Sequence, residues 1–189
     1  PMGFYSPSQL IQDARRHHIM VLPVDVNHSS WDHQILSSAD QQQPPIRLGL
    51  RLIKGLSEAA GQRIHTAQRQ RTFANVADLR QRACLDRGDM EALAAADALS
   101  GISGNRYQSH WQTMALEARR PLLPHDSAAQ RSQDDAAVTA APTLPEDVVA
   151  DYQSTGLTLR SHPLTLLRHQ PPFDRCRRQT ELETLGNHR

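Results

Sequence analysis

Aromatic residues are scarce in this chain, at 4% of 189 residues, and cysteine occurs only twice. No apolar run approaches the roughly 20 residues that a membrane-spanning helix needs, and no basic, apolar leader opens the sequence. Cys84 and Cys176 stand far apart, which gives neither a disulfide framework nor a zinc knuckle and suits a reducing, cytoplasmic setting without membrane partners. A mean hydropathy of −0.59 leaves little apolar surface to set against the entropy of ordering the chain. Part of it is therefore expected to be disordered, or to pack on protein outside this sequence. The opening on Pro1 reads as an interior piece of something longer.

The formal net charge of +1 is uninformative, because it averages a basic middle with a more acidic stretch further on. Arg47, Arg51, Lys54, Arg63, Arg69, Arg71, Arg80 and Arg82 are opposed between positions 47 and 82 only by Glu58 and Asp78. Within this region Ile46, Leu48, Leu50 and Leu52 alternate with polar residues and glycine, a strand-like period of two. The alternation ends in the turn Lys54-Gly55-Leu56-Ser57, from which a helix departs with Ala59, Ala60, Ile64 and Ala67 at helical spacing. A glycine turn that opens a helix leaves the first backbone N–H groups unpaired and backed by the positive end of the helix dipole. Such an end suits a phosphate.

Each residue of the turn has a role in that reading. Gly55 lets the backbone bend and approach an anion without a Cβ in the way. Leu56 anchors the turn in the core, Ser57 caps the helix and offers a hydroxyl, and Lys54 adds charge. Arg51 and Arg63 flank this first site, while Arg80, Arg82 and Arg87 surround a second helical pair. The contact would be blind to base sequence. The competing reading is a plain glycine turn whose arginines only solvate the surface, and spacing alone leaves both open.

The remaining elements are readable in outline. Ser6-Pro7 opens a short helix with Leu10, Ile11 and Ala14 on one face. Ile19 to Val26 is β-prone but interrupted by Pro23, as in an edge strand or extended connector. Asn27 to Pro45 reads as loop. A second helix follows an Asn75 cap, a third begins at Asp86 or Arg87 with Met90, Leu93 and Ala94 inward, and a fourth follows Ser103-Gly104. Periodicity predicts that the fourth buries Tyr107, Trp111 and Met114. Residues 121–142 read as linker, Leu144 to Ser154 as a helix, and Ser161-His162-Pro163 as another helix start.

Catalytic chemistry finds no foothold. His17, His18, His28 and His33, with Asp25 and Asp32 among them, match no metal-ligand spacing and read as solvent-facing. Cys84 has no evident partner base, and Asp86, Asp89 and Glu91 are better placed to cap a helix than to bind metal. No carboxylate pair sits on neighbouring strand-like segments, as two-metal phosphoryl transfer requires. Trp31 and Trp111 are candidates for base stacking.

Five stretches occur together and in order: PMGFYSPSQLIQDARRHHI, VLPVDVNHSSWD, IRLGLRLIKGLSEAAGQRI, FANVADLRQRACLDRGDMEALAAADAL and DYQSTGLTLRSHPLTLLR. In this combination the chain resembles the alpha subunit of bacterial C-family DNA polymerase III. NHSSWD and TGLTLRSHPL are most similar to its error-prone branch, which works in damage-induced translesion synthesis. The resemblance implies that residues 1–45 end a fingers-like region and that 46–120 form a helix-hairpin-helix module holding duplex DNA. It further implies a linker over 121–143 and short helices over 144–189 that lead towards an OB-type domain. The family's catalysis uses palm aspartates and Mg²⁺ from regions not in this sequence, so no catalytic residue, metal ligand or cofactor is expected here. Duplex DNA is the expected partner, with other translesion or replisome subunits as further ones. A protein-docking module is the alternative. Two departures stand out: Ser57 replaces the second glycine of many such hairpins, and the pattern dissolves after His169. The expected fold is mainly α: a small tandem helix-hairpin-helix module with a short β or extended N-terminal segment and a partly disordered C-terminal third.

Overall fold

A computed structural model of the chain describes residues 4–37, 43–116 and 140–177. Most of the linker expected at 121–143, and the tail from residue 178, lie outside the described residues. The chain is mainly helical, as the sequence leads one to expect.

Three short strands make the small sheet. β1 (Val21–Leu22) runs parallel to β3 (Ile46–Arg47), and β2 (Gln34–Ile35) runs antiparallel to it, in the order β1-β3-β2. Pro23 ends β1, since it has no N–H to extend the ladder. The alternation from Ile46 to Ile53 promised a longer strand, but pairing stops after Arg47 and Leu50–Leu52 is a 3₁₀ turn. Gly49 is the cause. A Cβ there would lie 2.4 Å from the Trp31 carbonyl oxygen, so a neighbouring chain crosses directly over it. Leu50 and Arg51 then donate their N–H groups to the carbonyls of Ser30 and Trp31 (2.8 and 3.0 Å), which pulls the segment out of the sheet.

The helices are α1 (Pro7–Arg16), α2 (Glu58–Gln70), α3 (Val76–Arg82), α4 (Arg87–Ala95), α5 (Ser100–Ser103), α6 (Arg106–Ala115), α7 (Leu144–Ser154) and α8 (Pro163–Leu167). Side-chain oxygens of Ser6, Ser57, Asn75, Asp86 and Asn105 each accept from an N–H of the first helical turn, a device that stabilises a helix by about 1 kcal/mol. The core lies among α2, α3, α4 and the 3₁₀ turn, where Leu50, Ile64, Leu79, Leu93 and Leu99 are fully buried. Trp31 packs on α2 over Gly61, where a Cβ would stand 2.4 Å from the indole. Its place is therefore in packing.

Helix α6 inverts the expectation. It buries Arg106, Ser109 and Thr113, and leaves Tyr107, Trp111 and Met114 exposed at 40%, 55% and 54%. The reason is a buried polar network. Arg106 reaches across to Asp147 and Asp151 on α7, Arg160 joins it to Asp97, Asp147 and Asp151, and the Thr158 hydroxyl donates to Asp151 (2.7 Å). Buried charges must be paired and hydrogen-bonded, so Arg106 fixes which face of α6 turns inward. Burial raises the Asp147 carboxyl above the usual carboxylate range, against the opposing pull of Arg160 and Arg106. The same network ties α7 to the hairpin region.

Candidate nucleic-acid interface

Two hairpins of one design lie in succession. In the first, Gly55 takes a positive φ of 86°, Leu56 is buried, and Ser57 caps α2. In the second, Cys84 takes φ 49°, Leu85 is buried, and Asp86 caps α4. A left-handed residue after a helical turn, followed by an apolar one, is a common way to end a helix and re-aim the chain. The sequence shows the first example through its glycine and hides the second behind Cys84, which is costlier in that conformation.

The two helix starts differ in what they leave open. At α2 the Ser57 Oγ accepts from Ala60 N–H (3.1 Å), while the amides of Ser57, Glu58 and Ala59 have no hydrogen-bond partner among the described residues. All three of those residues are exposed. At α4 Asp86 accepts from Asp89 N–H (2.8 Å) and Asp89 accepts from Asp86 N–H (3.4 Å), a reciprocal box of two carboxylates. Asp89 is buried and paired with Arg63 (3.2 Å). Burial and then the nearby Asp86 raise its carboxyl above the usual range. The second helix start is thus acidic and has one free amide fewer than the first, since the amides of the exposed Arg87 and Gly88 also have no partner among the described residues. The first is open, with the exposed Glu58 as the negative charge in its opening turn.

The cations marked out by the sequence are mostly engaged with the protein itself. Lys54 Nζ donates to the carbonyls of Tyr152 and Gln153 (3.0 and 2.9 Å), so it caps the end of α7. Its backbone N–H donates to Ser154 (2.9 Å). Arg51 pairs with Asp32 (2.6 Å). Arg63 donates to the Ala83 carbonyl (2.9 Å) and pairs with Asp89. Arg80 donates to the Leu116 carbonyl (3.2 Å). Arg82 is nearly enclosed, donating to the carbonyls of Ala67, Arg71 and Thr72 and pairing with Asp78 above the Phe73 ring. Arg87 pairs with Glu91 (2.6 Å) on the surface of α4. The structure gathers Lys54, Gly55, Leu56 and Ser57 at one turn, with Arg51 on the 3₁₀ turn that leads into it. Arg80 and Arg82 act chiefly as braces between α3 and its neighbours.

The histidines flagged by the sequence, His17, His18, His28 and His33, are all exposed, as expected. His28 lies 3.1 Å from Asp25 and His17 lies 3.8 Å from Asp13, while His33 Nδ1 accepts from Gly49 N–H (2.9 Å). Among the described residues no three histidine, cysteine or acidic side chains gather as metal ligands. Nor is any described helix long and apolar enough to cross a membrane.

The two turns, Gly55–Ser57 and Cys84–Asp86, both lie within residues 18–109, which match the family described as helix-hairpin-helix motif. Over nearly its whole length the chain is also homologous to one segment of the error-prone DNA polymerases. It is 47% identical to the error-prone DNA polymerase of Saccharophagus degradans over 190 residues, covering 99% of this chain and 18% of the relative. The figures are 49%, 98% and 17% for that of Ralstonia nicotianae, and 44%, 100% and 18% for that of Pseudomonas aeruginosa. The chain therefore spans under a fifth of the length of the curated relatives it matches.

Proposed function

We propose that this chain is the duplex-holding segment of an error-prone, DNA-directed DNA polymerase acting in translesion synthesis and repair. Its own activity is to bind the DNA backbone without regard to sequence, and nucleotidyl transfer belongs to other regions of such an enzyme. The observation that carries the reading is the open start of α2 at Gly55, inside the segment that matches the helix-hairpin-helix family. There the amides of Ser57, Glu58 and Ala59 receive a phosphate, Gly55 permits its close approach, and Ser57 contributes its hydroxyl proton. Lys54 serves by position, since two of its three donors already cap α7. Arg51 and Arg63 add field, and Arg87 lies at the second hairpin. Arg80 and Arg82 support the scaffold.

Fluorescence anisotropy on labelled duplexes of unrelated sequence tests this. Affinity should be equal across sequences and fall with salt, with a log–log slope of roughly −3 to −5 if about three to five phosphates are neutralised. Binding that is absent at low salt, or indifferent to salt, overturns the reading.

A further inference from the structure

Lys54 is the cation nearest in sequence to the open amides of α2, yet its hydrogen bonds run to the end of α7. Its Nζ donates to the carbonyls of Tyr152 and Gln153 (3.0 and 2.9 Å), and its backbone N–H donates to that of Ser154 (2.9 Å). A helix leaves such carbonyls without an intrahelical partner at its C-terminus, and they carry the negative end of its dipole. The chain that follows closes α7 only in part. Gly156, at φ 79°, donates its N–H to Tyr152 (3.2 Å), and Thr155 donates to Asp151 (2.9 Å). Gly156 also lies against the lysine stem, where a Cβ would come within 3.9 Å of Lys54 Cε. The end of α7 thus offers the ammonium a set of negatively polarised oxygens, as a DNA phosphate would.

We infer that the end of α7 is an internal competitor for DNA. Lys54 Nζ leaves the Tyr152 and Gln153 carbonyls for a backbone phosphate when a duplex seats on the amides of Ser57, Glu58 and Ala59. In the free chain the end of α7 weakens that site twice: it occupies the lysine, and it holds the negative end of a helix beside the hairpin. A phosphate carries a full charge against roughly half an elementary charge at a helix end, so a seated phosphate is the stronger partner for the ammonium. The exchange is confined to the lysine side chain and the last turn of α7, where Gln153 is exposed and Tyr152 half-buried. Lifting the whole helix would leave Arg106 buried without Asp147 and Asp151, a larger loss than one lysine–phosphate contact offsets. The inference rests on the duplex-binding reading, and adds that the affinity is restrained from within the chain.

The test uses the whole chain and a blunt DNA hairpin, titrated by anisotropy at several salt concentrations. Lys54→Met keeps the stem and removes the charge. It should weaken binding about fivefold and make the log–log salt slope shallower by about 0.9, the part due to one phosphate. Gly156→Val places a β-branched residue at an exposed, positive-φ position that such residues avoid, and so loosens the end of α7 without altering any charge. It should tighten binding a few-fold, and adding Lys54→Met should abolish that gain. In the parent chain, where no variant has to fold, the duplex should speed amide hydrogen exchange at Thr155 and Gly156, read by NMR. Parental affinity and slope in Lys54→Met overturn the inference, leave Lys54 as a helix cap and keep the duplex reading standing. Weaker binding by Gly156→Val, or slower exchange at Thr155 and Gly156 with duplex present, overturns it by making α7 a brace that DNA tightens. Absence of duplex binding at low salt in parent and variants alike refutes the duplex reading, and the inference falls with it.

Discussion

Placing a carboxylate at residue 59 separates folding from binding more cleanly than removing any cation. Ala59 is exposed in the first turn of α2, where its amide has no partner among the described residues. Glutamate there lies near the positive end of the helix dipole, which stabilises the fold by about 0.3–1 kcal/mol. The same carboxylate opposes a phosphate on the neighbouring amides. At roughly 5 Å the repulsion is about 0.8 kcal/mol for a dielectric constant of 80 and about 3.3 kcal/mol for 20, a loss of roughly 4- to 250-fold in affinity. Ala59→Glu should therefore melt slightly higher than the parent and bind duplex at least several-fold more weakly. Glu58→Gln has the opposite signature: it removes an existing repulsion, tightens binding a few-fold, and costs the helix a few tenths of a kcal/mol. Thermal melts and anisotropy titrations at low salt, run in parallel, read both quantities. If Ala59→Glu binds like the parent while melting higher, no phosphate sits on those amides and the proposed site is refuted.

Other expectations concern the scaffold. Arg106→Ala leaves Asp147 and Asp151 buried with only Arg160 to pair them, and should cost about 3 kcal/mol in chemical denaturation; a loss under about 1 kcal/mol would show that the network is solvated. Gly61→Ala drives a methyl into the Trp31 indole and should destabilise by about 1–3 kcal/mol, with a red-shifted tryptophan emission as its signature. His33 supplies a pH dependence. Its pKa is lowered by burial and then by Arg51, against the pull of Asp32, and its neutral Nδ1 accepts from Gly49. The unfolded chain therefore binds the proton more readily than the folded one. Stability should fall as pH drops from about 6.5, the ordinary histidine value, towards the lowered one, and be complete above it. Asp89 and Asp147, both raised, carry the opposite slope above the ordinary aspartate range, so comparison with His33→Asn, which keeps an acceptor, isolates the histidine. Urea midpoints at successive pH values that coincide for parent and variant would exclude His33.

The parts of the fold legible in the sequence are those where one residue type settles a local question. Asn75, Asp86 and Ser57 stand where only a short polar side chain caps a helix, and the helices begin there. Gly55 marks its own turn. The strand predicted through Ile53 failed because a period of two states which side chains point inward, not whether the backbone is paired. What ends the pairing is the Trp31–Asp32 backbone crossing Gly49, a contact between positions far apart in the chain. What the cations touch was not legible for a related reason. Composition counts charges, and only coordinates show that Arg82 faces three carbonyls and a ring while Ser57, Glu58 and Ala59 beyond the Gly55 turn are exposed.

Helix α6 shows the limit of periodicity most sharply. Tyr107, Trp111 and Met114 and the set Arg106, Ser109 and Thr113 both repeat at helical spacing, so the sequence offers two stripes and hydrophobicity selects the wrong one. Turning the apolar stripe inward would put the Arg106 guanidinium in solvent and strip Asp147 and Asp151 of their nearest partner. Two carboxylates left to share Arg160 would cost about 3 kcal/mol, while exposing the apolar stripe forfeits about 1.5–3 kcal/mol for each large side chain. These terms are comparable, so apolar periodicity alone cannot choose between the two stripes, and the paired charges decide which face of α6 turns inward.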